Sequence, residues 1–212
     1  MYERVRRQML DSALEMLKYN LVSLSGGNIS VRTEDGTFLI TPSAIRYEHM
    51  EPDDIVLVDS NGIILEGTKK PSSDIQALLY MFKHKPDVNA IIHTHQPYAT
   101  AVGLVSDHLP ACLTTIIDTV HTDVPVAPFT ISSDIGMGKA AVEYCARANA
   151  VILSNHGVIG FGRDLNETLE TVVYLEEGAK TYLAAMSTKS GIKLLTEAQI
   201  QSENADRGNY GQ

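Results

Sequence analysis

The chain has 212 residues, 44% of them hydrophobic and 20% charged, with a formal net charge of −9. That is enough for one domain, spanning 1–212, with a substantial core, and the balance is ordinary for a soluble globular protein. The acidic excess without a basic stripe argues against nucleic acid as a partner, and no apolar run approaches the roughly 20 residues that cross a bilayer, so no membrane partner is expected.

Met1-Tyr2-Glu3-Arg4 is charged and leads into a helical pattern, unlike a secretory signal. Leu10, Leu14, Leu17 and Leu21 recur at helical spacing and predict an amphipathic helix over 3–20. A small-residue loop, Ser23 to Asn28, follows. Residues 29–33 and 37–41 flank Asp35-Gly36, and residues 55–59 and 63–65 flank Asn61-Gly62; both pairs read as hairpins. Thr41-Pro42-Ser43-Ala44 is a second loop and Gly67 to Ser72 a third. The third opens a helix over 74–83 with Ser72 or Ser73 as its cap.

The run Val88 to Ile92 reads as a buried strand and Pro97 to Val105 as a helix. Residues 111–117 and 124–127 read as strands. Residues 135–148 read as a helix capped by Ser132 or Ser133, 150–154 and 158–161 as strands, and 166–186 as a long helix. The tail, 188–212, is polar and expected to be partly mobile. Cys112 and Cys145 lie in apolar segments without metal or redox spacing, which fits a reducing cytoplasm. Strands joined by hairpins and interleaved with helices predict an α/β fold around a mixed, largely antiparallel sheet. The phosphate fingerprint of a doubly wound nucleotide-binding fold is absent.

Three histidines carry the chemistry. His93 and His95 stand two apart at a strand end, so their imidazoles share a face. His156, in Asn155-His156-Gly157, again follows an apolar strand. Three neutral imidazoles suit a zinc-like ion with an open fourth position, the arrangement of a catalytic rather than a structural site. The loops at Gly26-Gly27-Asn28, Thr41-Pro42-Ser43 and Pro71-Ser72-Ser73 offer amides, a carboxamide and hydroxyls. They suggest a small phosphorylated ligand held by neutral donors and a helix N-terminus. Asp74, in the first turn of that helix, is a candidate base or water-holding carboxylate. His49, His84 and His108 sit in polar or turn-like contexts and read as surface residues. His121, near Asp118 and Asp123, is a candidate for a subunit-interface role.

In order and spacing, Ser25-Gly26-Gly27-Asn28-Ile29-Ser30, Thr41-Pro42-Ser43, Pro71-Ser72-Ser73-Asp74, His93-Thr94-His95 and Asn155-His156-Gly157 resemble the class II aldolase/adducin family over nearly the whole chain. Within that family the chain is similar to its fuculose-phosphate aldolases and its ribulose-phosphate 4-epimerases. The resemblance implies a three-layer α/β/α sandwich. It implies zinc on His93, His95 and His156, and a phosphorylated sugar held by Gly27, Asn28, Ser43, Ala44, Ser72 and Ser73. It implies catalytic roles for Asp74, for Tyr210 in the tail and, as an acid–base residue of the epimerase kind, for Asp118, and a homotetramer with sites between subunits. The implied reaction is retro-aldol cleavage of a ketose 1-phosphate, without a lysine Schiff base.

Aldolase and 4-epimerase share the bond-breaking step, and the two are written in different residues. Asp rather than Glu at 74, the position of Asp118 and the ending Tyr210-Gly211-Gln212 resemble the epimerases. The spacing from His95 to His156 resembles the aldolases, and Gln199 stands where the epimerase tail carries a further His. Thr114 replaces a Tyr of the fucose-pathway aldolase, and Ala44 replaces the usual Gly of the second phosphate loop. Segment spacing constrains the whole site, so the reading favours a fuculose-1-phosphate-like aldolase, with the epimerase second. A family decarboxylase or dehydratase, or an adducin-like scaffold, remains as an alternative; three histidines together with Asp74 argue against the scaffold.

Overall fold

Apolar side chains alternate to both faces of the central strands, so both faces need cover. The structure, a computed structural model, describes residues 2–188 and 190–206. Its elements in chain order are α1 (Glu3–Lys18), β1 (Asn28–Arg32), β2 (Phe38–Ile40), β3 (Val56–Val58), β4 (Ile64–Glu66), α2 (Ile75–His84), β5 (Ala90–Thr94), α3 (Pro97–Val105), β6 (His108–Leu109), α4 (Thr114–Val120), β7 (Val124–Ala127), α5 (Ile135–Cys145), β8 (Ala150–Leu153), β9 (Gly157–Gly162), α6 (Leu165–Ser187) and α7 (Glu197–Asp206). Single 3-10 turns at Tyr47–His49 and Pro52–Asp54 join β2 to β3.

The strands form one sheet in the order β4-β3-β2-β1-β5-β9-β8-β7-β6. Every neighbouring pair is antiparallel except β7 with β8. Ala90, Ile92, Ala150, Ile152 and Val158 pack with α1, α3, α4 and α6 on one face. Ile91, Val151, Leu153, Ile159 and Phe161 pack with α2 and α5 on the other. This is the expected three-layer sandwich. Phe82 and Phe161 are fully buried in the thinner layer, each worth roughly 1.5–3 kcal/mol of transfer free energy. Among the described residues no helix is long and apolar enough to cross a membrane.

Four local expectations are revised. Residues 114–120 form α4 rather than a strand, because Ile116, Ile117 and Val120 turn one helical face inward and Ile116 lies against Gly178 of α6. A β-branched run serves either element, and tertiary packing decides. The buried stripe of α1 is Met9, Ala13 and Met16, with Leu14 exposed; two adjacent stripes share the 3.6-residue period, and the core selects one. Asp134 caps α5, its carboxylate accepting from the Gly136 amide at 2.6 Å, in place of Ser132 or Ser133. Within the polar tail, residues 197–206 form α7, whose Asn204 amide donates to the His121 carbonyl at 3.1 Å.

Long helix α6 lies directly on β9 because Gly160 leaves room for it. A Cβ on Gly160 would come to 2.5 Å from Cγ1 of Val172. Gly160→Ala is therefore expected to cost about 1–3 kcal/mol by overpacking and to lower Tm by roughly 2–10 °C, read by thermal denaturation.

Candidate active site

Strand β5 ends between the starts of β1 and β9, and this junction assembles the cluster. Asn28 pairs with His93 across β1 and β5, so both side chains leave the sheet on the face covered by α2. His93 is buried, and its Nδ1 donates to the Val158 carbonyl at 2.9 Å. A carbonyl can only accept, so the tautomer is fixed and Nε2 keeps its lone pair facing the other two rings. His93 Nε2 stands 3.1 Å from His95 Nε2. Ring centroids are 4.8 Å apart for His93 and His95, 4.8 Å for His93 and His156, and 5.3 Å for His95 and His156.

The third ring comes from the turn between β8 and β9. Asn155 takes a left-handed conformation there (φ 60°). Gly157 backs onto the Thr94 carbonyl so closely that any Cβ would collide with it. Gly27 is constrained in the same way: its φ is +72°, and a Cβ would strike the His93 carbonyl. A Cβ on Gly26 would lie 3.0 Å from His95 Nδ1. These glycines let two loops close over the histidine-bearing strand end.

The donor set fits a divalent ion. One potential ligand atom from each histidine lies within 4.8 Å of the others. Nitrogens on a tetrahedral ion at about 2.0–2.1 Å would sit about 3.3 Å apart, close to the observed His93–His95 separation. His156 Nδ1 is buried without a hydrogen-bond partner. Burial lowers all three imidazole pKa values, and neighbouring imidazoles lower those of His93 and His95 further, His93 to about 4. Asp74 opposes the shift at each ring. The rings are therefore neutral at pH 7, the state that binds metal.

Asp74 is buried at the start of α2, and the Asn28 side-chain amide donates to its Oδ2 at 2.7 Å. Asn28 Oδ1 is buried and unpartnered. Ser72 does not cap α2 by its side chain; instead its Oγ accepts from the Asp74 amide at 3.3 Å. The loops holding Ser43 and Ser72 are stitched together by a Pro42–Pro71 bridge, by Ser43 N donating to the Lys70 carbonyl, and by Ser72 N donating to the Thr41 carbonyl. Ser43, Ala44 and Ser73 are exposed beside them, and Ala44 is left-handed with φ 61°.

Gly27, Asn28, Asp74, His93, His95 and His156 thus meet at one junction, with Ser43, Ala44, Ser72 and Ser73 in the adjoining loops. Asp118 does not join them. It lines a cleft of about 520 Å³ with Thr115, Arg163, Asp164 and Glu170. Arg163 follows the last residue of β9 whereas His156 precedes the first, so the cleft lies roughly 20 Å away at the opposite end of the sheet. Tyr210 falls outside the described residues. His121 is half-buried, its ring bonded to the Ile117 carbonyl and the Asn149 amide.

Two further neighbours of the junction were not among the expected site residues. Tyr47 is buried, with its hydroxyl donating to the Gly26 carbonyl at 3.2 Å and its pKa raised by burial and by Asp74. Ser133 Oγ donates to Ser73 Oγ at 3.0 Å from the loop before α5. Neither lies in a periodic segment, and only the fold brings them near.

The depressed imidazole pKa values set a pH dependence for the metal-free protein. In the unfolded chain these groups protonate near 6.5, while in the folded chain they resist until lower pH. The unfolded state then binds more protons, so the stabilisation is complete above pH 6.5 and is lost as pH falls toward the folded values. Thermal melts of chelator-treated protein should show Tm falling from pH 7 to 5.5. A flat profile there would contradict a neutral buried cluster.

Comparison with known proteins agrees with this geometry. The family model described as class II aldolase and adducin N-terminal domain matches residues 7–183. The chain is 29% identical over 211 residues to a 5-deoxy-D-ribulose 1-phosphate aldolase of Bacillus thuringiensis serovar kurstaki, covering 99% of this chain and 98% of the relative. It is 26% identical over 226 residues to an L-ribulose-5-phosphate 4-epimerase of Salmonella paratyphi A, covering 99% of each. A solved L-fuculose 1-phosphate aldolase superposes with a TM-score of 0.91 at 27% identity, covering 97% of both chains. The chain belongs to the class II aldolase and adducin family, as an enzyme of its class II aldolase, lyase kind.

Proposed function

We propose that the chain catalyses zinc-dependent retro-aldol cleavage of a ketose 1-phosphate, of the L-fuculose 1-phosphate type, to dihydroxyacetone phosphate and an aldehyde. The observation that carries this reading is the buried Asp74, bonded to Asn28, between three neutral imidazoles and two hydroxyl-bearing loops. His93, His95 and His156 would hold the ion. A zinc ion held there supplies Lewis acidity toward the substrate carbonyl.

The chain's own groups do the rest. Ser43, Ser72, Ser73 and Asn28, with the backbone amides of Gly27 and Ala44, offer neutral donors for the phosphate, and the N-terminus of α2 adds its partial positive charge. That suits an acidic protein, which otherwise repels an anion. When the C3–C4 bond breaks, its electron pair passes to C3 and C4 leaves as an aldehyde carbonyl, its hydroxyl proton passing to solvent water. C3 takes up one proton in return, so none is gained or lost overall, and Asp74 is the group we assign to proton movement at C3. The Asn28 amide keeps that carboxylate aimed.

The second reading is a 4-epimerase, in which the aldehyde is retained, rotated and re-added. Asp at 74 and the epimerase relative favour it. Asp118, the acid–base residue it calls for, lies in a separate cleft of its own chain, so it would act only on a neighbour's site. A homotetramer in a cytoplasmic setting, with Tyr210 reaching a shared site, belongs to the same proposal and rests on family resemblance.

Three measurements test the assignment. Asp74→Asn is expected to lower kcat by about 10²–10⁴-fold for either reaction, because acid–base help of that size is removed. Ser72→Ala should raise KM for a phosphorylated ketose more than it lowers kcat, since it holds a group remote from the breaking bond; equal turnover of the unphosphorylated sugar would refute the phosphate site. Asp118→Asn should keep dihydroxyacetone phosphate release within about tenfold of wild type, whereas an epimerase would lose conversion of L-ribulose 5-phosphate by about 10²-fold or more. Wild-type epimerisation without triose release would favour the second reading.

A further inference from the structure

The histidines at 93 and 95 face the site, but the residues interleaved with them face the other way and form a separate polar chain. Thr94 and Gln96 are fully buried. The Thr94 hydroxyl donates to Gln96 Oε1 at 2.6 Å, and Gln96 Nε2 donates to the Val172 carbonyl of α6 at 3.2 Å. One turn further along α6, Glu176 is 5% exposed, and its two oxygens accept from the backbone amides of Tyr98 and Ala99 at 2.9 Å each. Those amides are the open first turn of α3, which begins directly after the metal-facing strand end.

This arrangement is costly. Burial raises the Glu176 pKa, and among the described residues the carboxylate has no ion pair. Its charge is met by helix amides and by the positive end of α3. A Ser or Asp at position 96 would cap α3 locally. Position 96 is instead a Gln that makes no cap hydrogen bond, and the cap comes from a residue 78 positions away. What the long-range cap gains over a local one is a fixed direction for the chain between β5 and α3, and His95 lies in that stretch.

His95 needs such support more than His93 does. His93 is fixed by its own hydrogen bond to Val158. His95 is the most exposed of the three, and among the described residues the only hydrogen-bond contact of its ring is with His93 Nε2. Its backbone amide donates to the Leu21 carbonyl at 3.1 Å, which leaves the C-terminal side of the residue to be held by the Gln96–Glu176 anchor.

We propose that Glu176 is a positioning residue for the metal centre, holding the first turn of α3 so that Gln96 and the strand end keep His95 aimed at the ion. The inference rests on the three-histidine metal reading above. It predicts that distortion of a point on α6, facing away from the site, is felt as metal affinity.

The test is zinc affinity, measured by competition with a chromophoric chelator, together with the visible spectrum of the cobalt-substituted protein and the Tm of the metal-free form. Glu176→Ala should weaken zinc binding by about 10–100-fold, the usual range for loss of support behind a ligand, and should shift the cobalt bands. Glu176→Gln, which retains one acceptor, should recover affinity to within about threefold of wild type. Val58→Ala, which empties a core position of β3 on the opposite face of the sheet from α6 and at the end away from the cluster, should lower Tm without changing zinc affinity. If Glu176→Ala does not fold, Gln96→Ala supplies the same reading and should also lose about tenfold. Zinc affinity within twofold of wild type in the alanine variant, or an equal loss in Val58→Ala, overturns the proposal while leaving the metal reading intact. A wild-type protein that takes up no zinc in the same titration overturns both.

Discussion

The register of β5 between β1 and β9 is the constraint on which the site depends. Asn28 opposite His93, and Val158 opposite Thr94, put a carboxamide donor and a carbonyl acceptor on either side of the strand end. A slip by one residue would send His93 into the α3–α6 layer and bring Thr94 to the site face. Such a slip would break the His93–Val158 and Gln96–Val172 hydrogen bonds and leave buried polar groups unpaired on both faces, which opposes it. These buried hydrogen bonds thus enforce the polar geometry at the strand end, and the site inherits its precision from them.

Backbone proximity then turns a strand end into a cluster. Gly27 and Gly157 allow loops from β1 and β9 to lie against the carbonyls of His93 and Thr94. That crowding dehydrates the imidazoles and keeps them neutral, while Asp74 supplies the one carboxylate that partly offsets the effect. A charged imidazole would repel a cation, so burial serves ligation as well as packing. The same carboxylate sits where acid–base chemistry is wanted, and Asn28 ties it to the strand that carries the first histidine.

What the sequence revealed was short-range or periodic. His93 and His95 declare a shared face through a two-residue period, and Asn28, Ser72 and Asp74 sit at the ends of elements that local patterning marks out. The sheet's antiparallel character followed from the two hairpin turns. The illegible features depend on contacts between distant segments. Residues 114–120 became a helix because α6 offers Gly178 as a seat for Ile116. Asp118 aligned with a catalytic position, yet its helix carries it to the far end of the sheet. Glu176 stands in an ordinary amphipathic stretch, and only the folded chain shows its carboxylate under the first turn of α3. Ser133 reaches Ser73 from a loop whose sequence announces nothing but a helix cap.

Ala44 occupies a left-handed conformation that glycine adopts freely and alanine does not, at a strain of roughly 1–2 kcal/mol. That strain has a second face. A glycine at this point would wander over both halves of conformational space before a ligand arrived, and binding would have to remove that freedom. With a methyl group in place, the neighbouring loop, braced through Pro42 and Pro71, has few shapes to choose from. Part of the ordering entropy that a small anion would otherwise meet on arrival has already been spent in folding, so stability given up at one exposed residue reappears as rigidity in the loop.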